Sequence, residues 1–127
     1  MPSIDQSYTI EAPIDAVWRA LTDPKEIDNW GAGPARMSET IGSDFELWGG
    51  DISGKNIEVE SPNRLVQEWR YGDWPKPSIV TFELKSLDGK TEIRVTQTDH
   101  PDTEHQDLES GWRGHYLGAM KEYLENE

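Results

Sequence analysis

Residues 103–125 read TEHQDLESGWRGHYLGAMKEYLE. At about 100° per residue, Leu108, Trp112, Tyr116, Leu117, Ala119, Met120, Tyr123 and Leu124 fall in one half-circle of a helical projection. Gly111, His115, Gly118, Lys121, Glu122 and Glu125 fall in the other. The pattern predicts one long amphipathic helix whose wide apolar face needs a cover. Two features depart from it. Glu109 and Arg113 land inside the apolar half, four apart with the acid first, the order that favours an i,i+4 pair. They are expected either at the rim of the stripe or as a charged pair pointing into a cavity. Gly111, Gly114 and Gly118 gather on the polar face, each costing up to ~1 kcal/mol of helix stability against alanine. They read as drift on a solvent face or as the close approach of another backbone, such as a second subunit.

The cover is found upstream. Residues 7–10 alternate as a short strand. Ala12-Pro13 then opens a helix with Ile14, Val17, Trp18 and Leu21 on one stripe. Thr22-Asp23-Pro24 stops it, and Asp23 is placed to cap a second short helix over residues 25–30. Gly31-Ala32-Gly33-Pro34 breaks the chain. A run of strands follows: a short one at 35–38, then Phe45 and Leu47, then Ile57 and Val59. Leu65, Gln67, Trp69 and Tyr71 share one strand face, with Val66, Glu68 and Arg70 on the other. Residues 73–77 form a loop. Val80, Phe82 and Leu84 alternate in the next strand, and Asp88-Gly89 is a hairpin signal leading to Ile93, Val95 and Gln97. The expected class is α+β. A curved antiparallel sheet of about six or seven strands wraps around the long C-terminal helix, with two short helices after the first strand, and residues 1–127 make a single domain.

Composition narrows the partners. There are 12 basic and 25 acidic residues, a net charge of −13, and no cysteine. Disulfides, thiolate metal sites and cysteine nucleophiles are thereby excluded. So acidic a surface repels phosphate backbones and anionic lipid, so neither a nucleic acid partner nor membrane insertion is expected. The N-terminus has no basic and apolar leader pattern and no apolar run approaches the ~18 residues of a membrane span, from which a soluble, cytoplasmic protein is expected. The six tryptophans, Trp18, Trp30, Trp48, Trp69, Trp74 and Trp112, either fill a core or line a pocket.

The run from Ala12 to Pro24 followed by Trp30 resembles the opening of the START-like (SRPBCC) superfamily, in its branch related to the activator of Hsp90 ATPase. The glycine turn Gly42-Ser43-Asp44 before Phe45-Glu46-Leu47 fits that branch, as do the series Gly54, Val59, Pro62 and Leu65, the pair Trp69-Arg70, and Gly111-Trp112 with Leu117 and Leu124 behind. The resemblance implies a helix-grip fold with a hydrophobic cavity. Members bind lipids, sterols, hormones or polyketides, a few catalyse cyclisation or hydration, and the co-chaperone domain stimulates Hsp90, a stress-response role. The sequence given has no counterpart of the separate N-terminal domain of the eukaryotic co-chaperone, from which a role other than co-chaperone is expected.

From strand phase and helix facing, the cavity candidates are Trp30, Phe45, Leu47, Gln67, Trp69, Tyr71, Phe82, Val95, Gln97, Glu109, Trp112, Arg113, Tyr116 and Met120. Gln67 and Gln97 read as polar handles. Arg113, held by Glu109, is expected to favour ligands with an acidic or phenolic group. No catalytic signature, phosphate loop or dinucleotide fingerprint is present. The run Asp99, His100, Asp102, Glu104, His105 and Asp107 matches no metal motif and reads as a solvated loop and helix start. No cofactor and no metal are therefore expected. Three functions stand: a binding module for a small apolar or amphipathic molecule; a protein-interaction domain for a chaperone or other protein; and a cyclase- or hydratase-like enzyme using Glu109 and Arg113. At a net charge of −13, the protein is expected to pass unretained over immobilised DNA and anionic liposomes at moderate salt, and a column assay checks this.

Overall fold

The computed structural model describes residues 3–71, 74 and 76–125; Asp73 and Pro75 of the expected loop lie outside them. Strand β1 (Ile4–Ile10) buries alternate residues. It leads into α1 (Ile14–Thr22), whose Val17, Trp18, Ala20 and Leu21 are buried. Pro13 stands at the N-cap, where a missing N–H costs no helical hydrogen bond. Asp23 joins two helices. Its N–H donates to Arg19 O at the end of α1, and its carboxylate accepts from Lys25 N at 3.0 Å to open α2 (Pro24–Trp30). Gly31, at φ 117°, ends α2 in a left-handed conformation that glycine adopts without strain.

The remaining strands are β2 (Asp44–Leu47), β3 (Ile52–Glu60), β4 (Arg64–Tyr71), β5 (Ser78–Leu87) and β6 (Lys90–Thr98). They form an antiparallel meander closed by the first strand, in the order β1-β6-β5-β4-β3-β2. Asp88 and Gly89 both take positive φ, 51° and 84°, between the paired Leu87 and Lys90. That geometry matches the twist of the strands it joins. The segment at 35–38 contributes one bridge, Arg36 with Glu46, rather than a strand. Pro34 lacks the N–H that would extend the ladder, so the sheet has six strands among the described residues. Register shifts between Asn56 and Glu58 in β3. This bulge turns the fully buried Asn56 inward and leaves Ile57 only half-buried, an outcome that period-two reading does not foresee.

The long helix forms as the pattern predicts, with a change of winding in its middle. A short turn at Asp102–Glu104 enters α3 (His105–Gly111). Five residues, Trp112–Tyr116, then form a π-helical segment before α4 (Leu117–Glu125). Trp112, Tyr116, Leu117, Met120 and Leu124 are buried against the sheet and the two short helices. The three glycines now separate. A Cβ on Gly118 would overlap the carbonyl of Arg113, five residues back, because the wider turn brings that group against it. Gly111 and Gly114 face open space. Gly118 is thus demanded by the helix's own backbone and not by a second subunit. No helix among the described residues is long and apolar enough to cross a membrane.

Gly118→Ala is expected to destabilise the fold by about 1–3 kcal/mol, as overpacking does. Gly114→Ala is expected to be neutral or stabilising by up to ~1 kcal/mol. Urea unfolding of the two variants checks the contrast.

Candidate functional site

The concave face of the sheet carries a polar row inside an apolar core. Asn56, Gln67, Ser78 and Gln97 are all fully buried. Each burial is made tolerable by a partner, since an unpaired buried amide costs about 1–3 kcal/mol. Gln67 accepts from Trp69 Nε1 at 2.8 Å and donates to Asn56 Oδ1 at 2.8 Å. Gln97 accepts from Trp112 Nε1 at 2.9 Å and donates to Ser78 Oγ at 2.9 Å. The two indoles so fixed, one from β4 and one from the helix, lie 5.0 Å apart centroid to centroid. Tyr116 stands 4.7 Å from Trp112, 5.8 Å from Trp69 and 5.8 Å from Phe82.

These rings, with Phe45, Leu47, Val95 and Met120, fill the space between sheet and helix. The concave space that remains is an open cleft of about 430 Å³ at one end of the helix. Its walls are Trp69 and Tyr71 from the end of β4, Ile52 from β3, Trp74, and Leu108, Trp112 and Tyr116 from the helix. Trp48 closes one side from a tight turn, Trp48–Gly50. Its φ of 50° is a costly conformation for a bulky side chain. Asp51, Glu104, Asp107 and His115 complete the lining. Two polar hydrogens on these walls have no partner among the described residues, Trp74 Nε1–H and the Tyr116 hydroxyl. Burial pushes the Tyr116 phenol pKa well above its ordinary value, so it remains a neutral donor.

The expected residues divide accordingly. Trp69, Tyr71, Trp112 and Tyr116 line the cleft. Trp30, Phe45, Leu47, Gln67, Phe82, Val95, Gln97 and Met120 are core residues away from it. Trp30 donates to Ala20 O at 2.8 Å, and the two glutamines are occupied by indoles rather than left as handles. Glu109 and Arg113 do not act as a cavity pair. Glu109 accepts from His105 Nε2 at 2.8 Å, while Arg113 is exposed and faces Tyr8 on β1. The π segment rotates the second residue of the expected pair away from the first, so the ligand-orienting and catalytic roles assigned to them have no geometric basis. The loop before the helix is also less solvated than expected. His100 is 5% exposed, stacks on His105 at 5.2 Å and shares a 2.9 Å hydrogen bond with it. Trp48, Asp51 and Trp74 were not singled out as site residues. The glycines after Trp48 and the prolines beside Trp74 mark turns, and turn side chains have no strand phase to read.

Gln97→Leu is expected to cost about 1–3 kcal/mol by stranding the Trp112 N–H. Trp112→Ala is expected to cost about 3–5 kcal/mol. Thermal and urea unfolding measure both.

Comparison with known proteins agrees with this architecture. The family described as activator of Hsp90 ATPase homolog 1-like protein matches residues 11–125. The Hsp90 co-chaperone AHA1 of Saccharomyces cerevisiae is 23% identical over 130 residues, covering 94% of this chain and 36% of that protein. The chain spans 22–36% of the length of the curated relatives it matches. The crystal structure of an HSP90 activator from Plasmodium falciparum superposes with a TM-score of 0.86 at 23% identity, covering 96% of this chain and 95% of that one. CalU16 from Micromonospora echinospora gives 0.84 at 28% identity, covering 96% and 73%. With a helix-grip fold and a family match over nearly its whole length, the chain belongs to the activator of Hsp90 ATPase homolog 1-like family.

Proposed function

We propose that the domain binds a small apolar or amphipathic molecule in the cleft at the end of its long helix. The observation that carries this reading is the gathering of six aromatic side chains around one concave space of about 430 Å³, within the roughly 300–1,000 Å³ of ligand sites. The left-handed backbone at Trp48 supports it, because strain of this kind is kept where it positions a working side chain. Apolar surface displacing water from these rings contributes about 25 cal/mol per Å². An acceptor on the ligand would relieve the unpaired donors of Trp74 or Tyr116. A planar, uncharged ligand such as a flavonoid is expected to bind in the micromolar range, about −8 kcal/mol, and to quench tryptophan emission. Trp48→Ala and Tyr71→Ala, both at the open side, are expected to weaken it at least about fivefold without lowering the melting temperature. Absence of quenching and of any thermal shift across a broad ligand panel overturns the reading.

A second reading is favoured by the relatives, several of which are named as Hsp90 ATPase activators or co-chaperones. In it the domain acts on a chaperone through its outer surface. Stimulation of Hsp90 ATPase turnover by the purified domain, unaffected by Trp48→Ala, supports that reading over the first.

A further inference from the structure

The charge distribution around the cleft is one-sided. Among the described residues, Asp51, Glu104 and Asp107 line it, and no lysine or arginine does. Asp51 stands on the turn before β3, and the other two stand at the start of the helix, so carboxylates approach the mouth from both walls. None of the three is in an ion pair with a described residue, although acids elsewhere on the surface are: Asp5 with Arg94, Glu83 with Arg64, Glu125 with Lys121. The same cleft is lined by Trp48, Trp69, Tyr71, Trp74, Trp112 and Tyr116. Arg113, the cation that the sequence places on the ligand, is exposed and faces Tyr8 instead.

On this basis, and resting on the binding reading above, we propose that the cleft selects cationic ligands, namely aromatic or alkyl amines and quaternary ammonium compounds. An ammonium group over an electron-rich ring is attracted by its quadrupole, most strongly by tryptophan. Tyr71, 47% exposed, and the half-buried Trp48 present such rings at the open side, with no lysine or arginine among the described lining residues to compete. The three carboxylates add an attraction of the same sign, and a net charge of −13 adds a weaker long-range field. A carboxylate or phosphate ligand can accept from Trp74 Nε1–H or the Tyr116 hydroxyl, but it meets the opposite field and finds no guanidinium or ammonium among the described lining residues. An uncharged isostere of the cation gains the apolar contact alone. Cation, neutral isostere and anion are therefore ranked in that order, with a spacing that salt reduces because the carboxylates are at the solvent boundary.

Three probes of one shape test this: naphthylmethyl-trimethylammonium, its uncharged isostere neopentylnaphthalene, and naphthylacetate. Each is titrated calorimetrically and by tryptophan emission at pH 8, where histidine is ordinarily neutral. The cation is expected to bind about tenfold tighter than the isostere at low salt, and naphthylacetate weaker than both. In the Asp51→Asn/Glu104→Gln/Asp107→Asn variant the cation's advantage over the neutral probe is expected to fall to about threefold or less. An unchanged melting temperature and circular dichroism spectrum show the variant to be folded. A neutral probe that binds as tightly as the cation, or an anion that binds tightest, overturns the cation preference and leaves the binding reading standing. If none of the three probes binds the unaltered protein, both fall.

Discussion

The hydrogen bond from Trp112 to Gln97 is the join on which the rest of the molecule depends. The long helix has no covalent or backbone connection to the centre of the sheet; its buried face touches β4, β5 and β6 through side chains. A buried amide in mid-sheet is a liability unless it is paired, and an indole N–H is equally costly in an apolar core. Each group removes the other's penalty. With the indole nitrogen fixed, the ring is fixed as well, and Trp69, Phe82 and Tyr116 pack around it with their centroids 4.7–5.7 Å from its own. The second glutamine, Gln67, does the same for Trp69. Helix and sheet are registered by the Trp112–Gln97 pair, more directional than apolar packing alone, while the Gln67–Trp69 pair within β4 fixes the ring against which Trp112 packs.

The outer edges are tied by charged contacts of smaller consequence. Lys121 donates to Thr9 O at 2.9 Å and to Glu125 at 2.6 Å, and Glu11 N donates to the same carboxylate, strapping α4 to the end of β1. Lys121 and the Glu11 N–H together hold the Glu125 carboxyl below its ordinary pKa. Arg94 on β6 makes a two-pronged contact with Asp5 on β1 and lowers that carboxyl likewise. Asp5 and Arg94 are exposed and Lys121 and Glu125 half-buried, and pairs at the surface contribute little to stability. They orient the edge strand rather than hold it.

The cleft is a consequence of where the packing stops. The helix's buried aromatic residues cluster at the π segment, and the last buried side chain on β4 is Trp69. Beyond that point Tyr71 is exposed, and the turn residues Trp48 and Trp74 stand across from the helix without closing on it. The interior is filled because every inward residue in mid-sheet is large or is bridged to one.

Much of this was legible in the amino-acid sequence. Periodicity together with caps and turn signals assigned the helices and the six strands, because a half-buried element must repeat its apolar residues at its own pitch, and it added a strand at 35–38 that is a single bridge. Asp23 as a cap and Asp88-Gly89 as a turn followed from local backbone chemistry. Tryptophan and glutamine positions on the inner face were also readable, but not that they pair, since Gln97 and Trp112 belong to different elements and meet only when the sheet curls. Two local irregularities lay outside any fixed period. The bulge at Ile57 exchanged an isoleucine for an asparagine on the inner face, and the π segment carried Arg113 away from Glu109. The site itself was decided by tertiary structure. Asp51 and Trp48 reach the cleft from a turn, Glu104 and Asp107 reach it from a helix start more than fifty residues later, and a sequence records neither their distance nor the empty space between them.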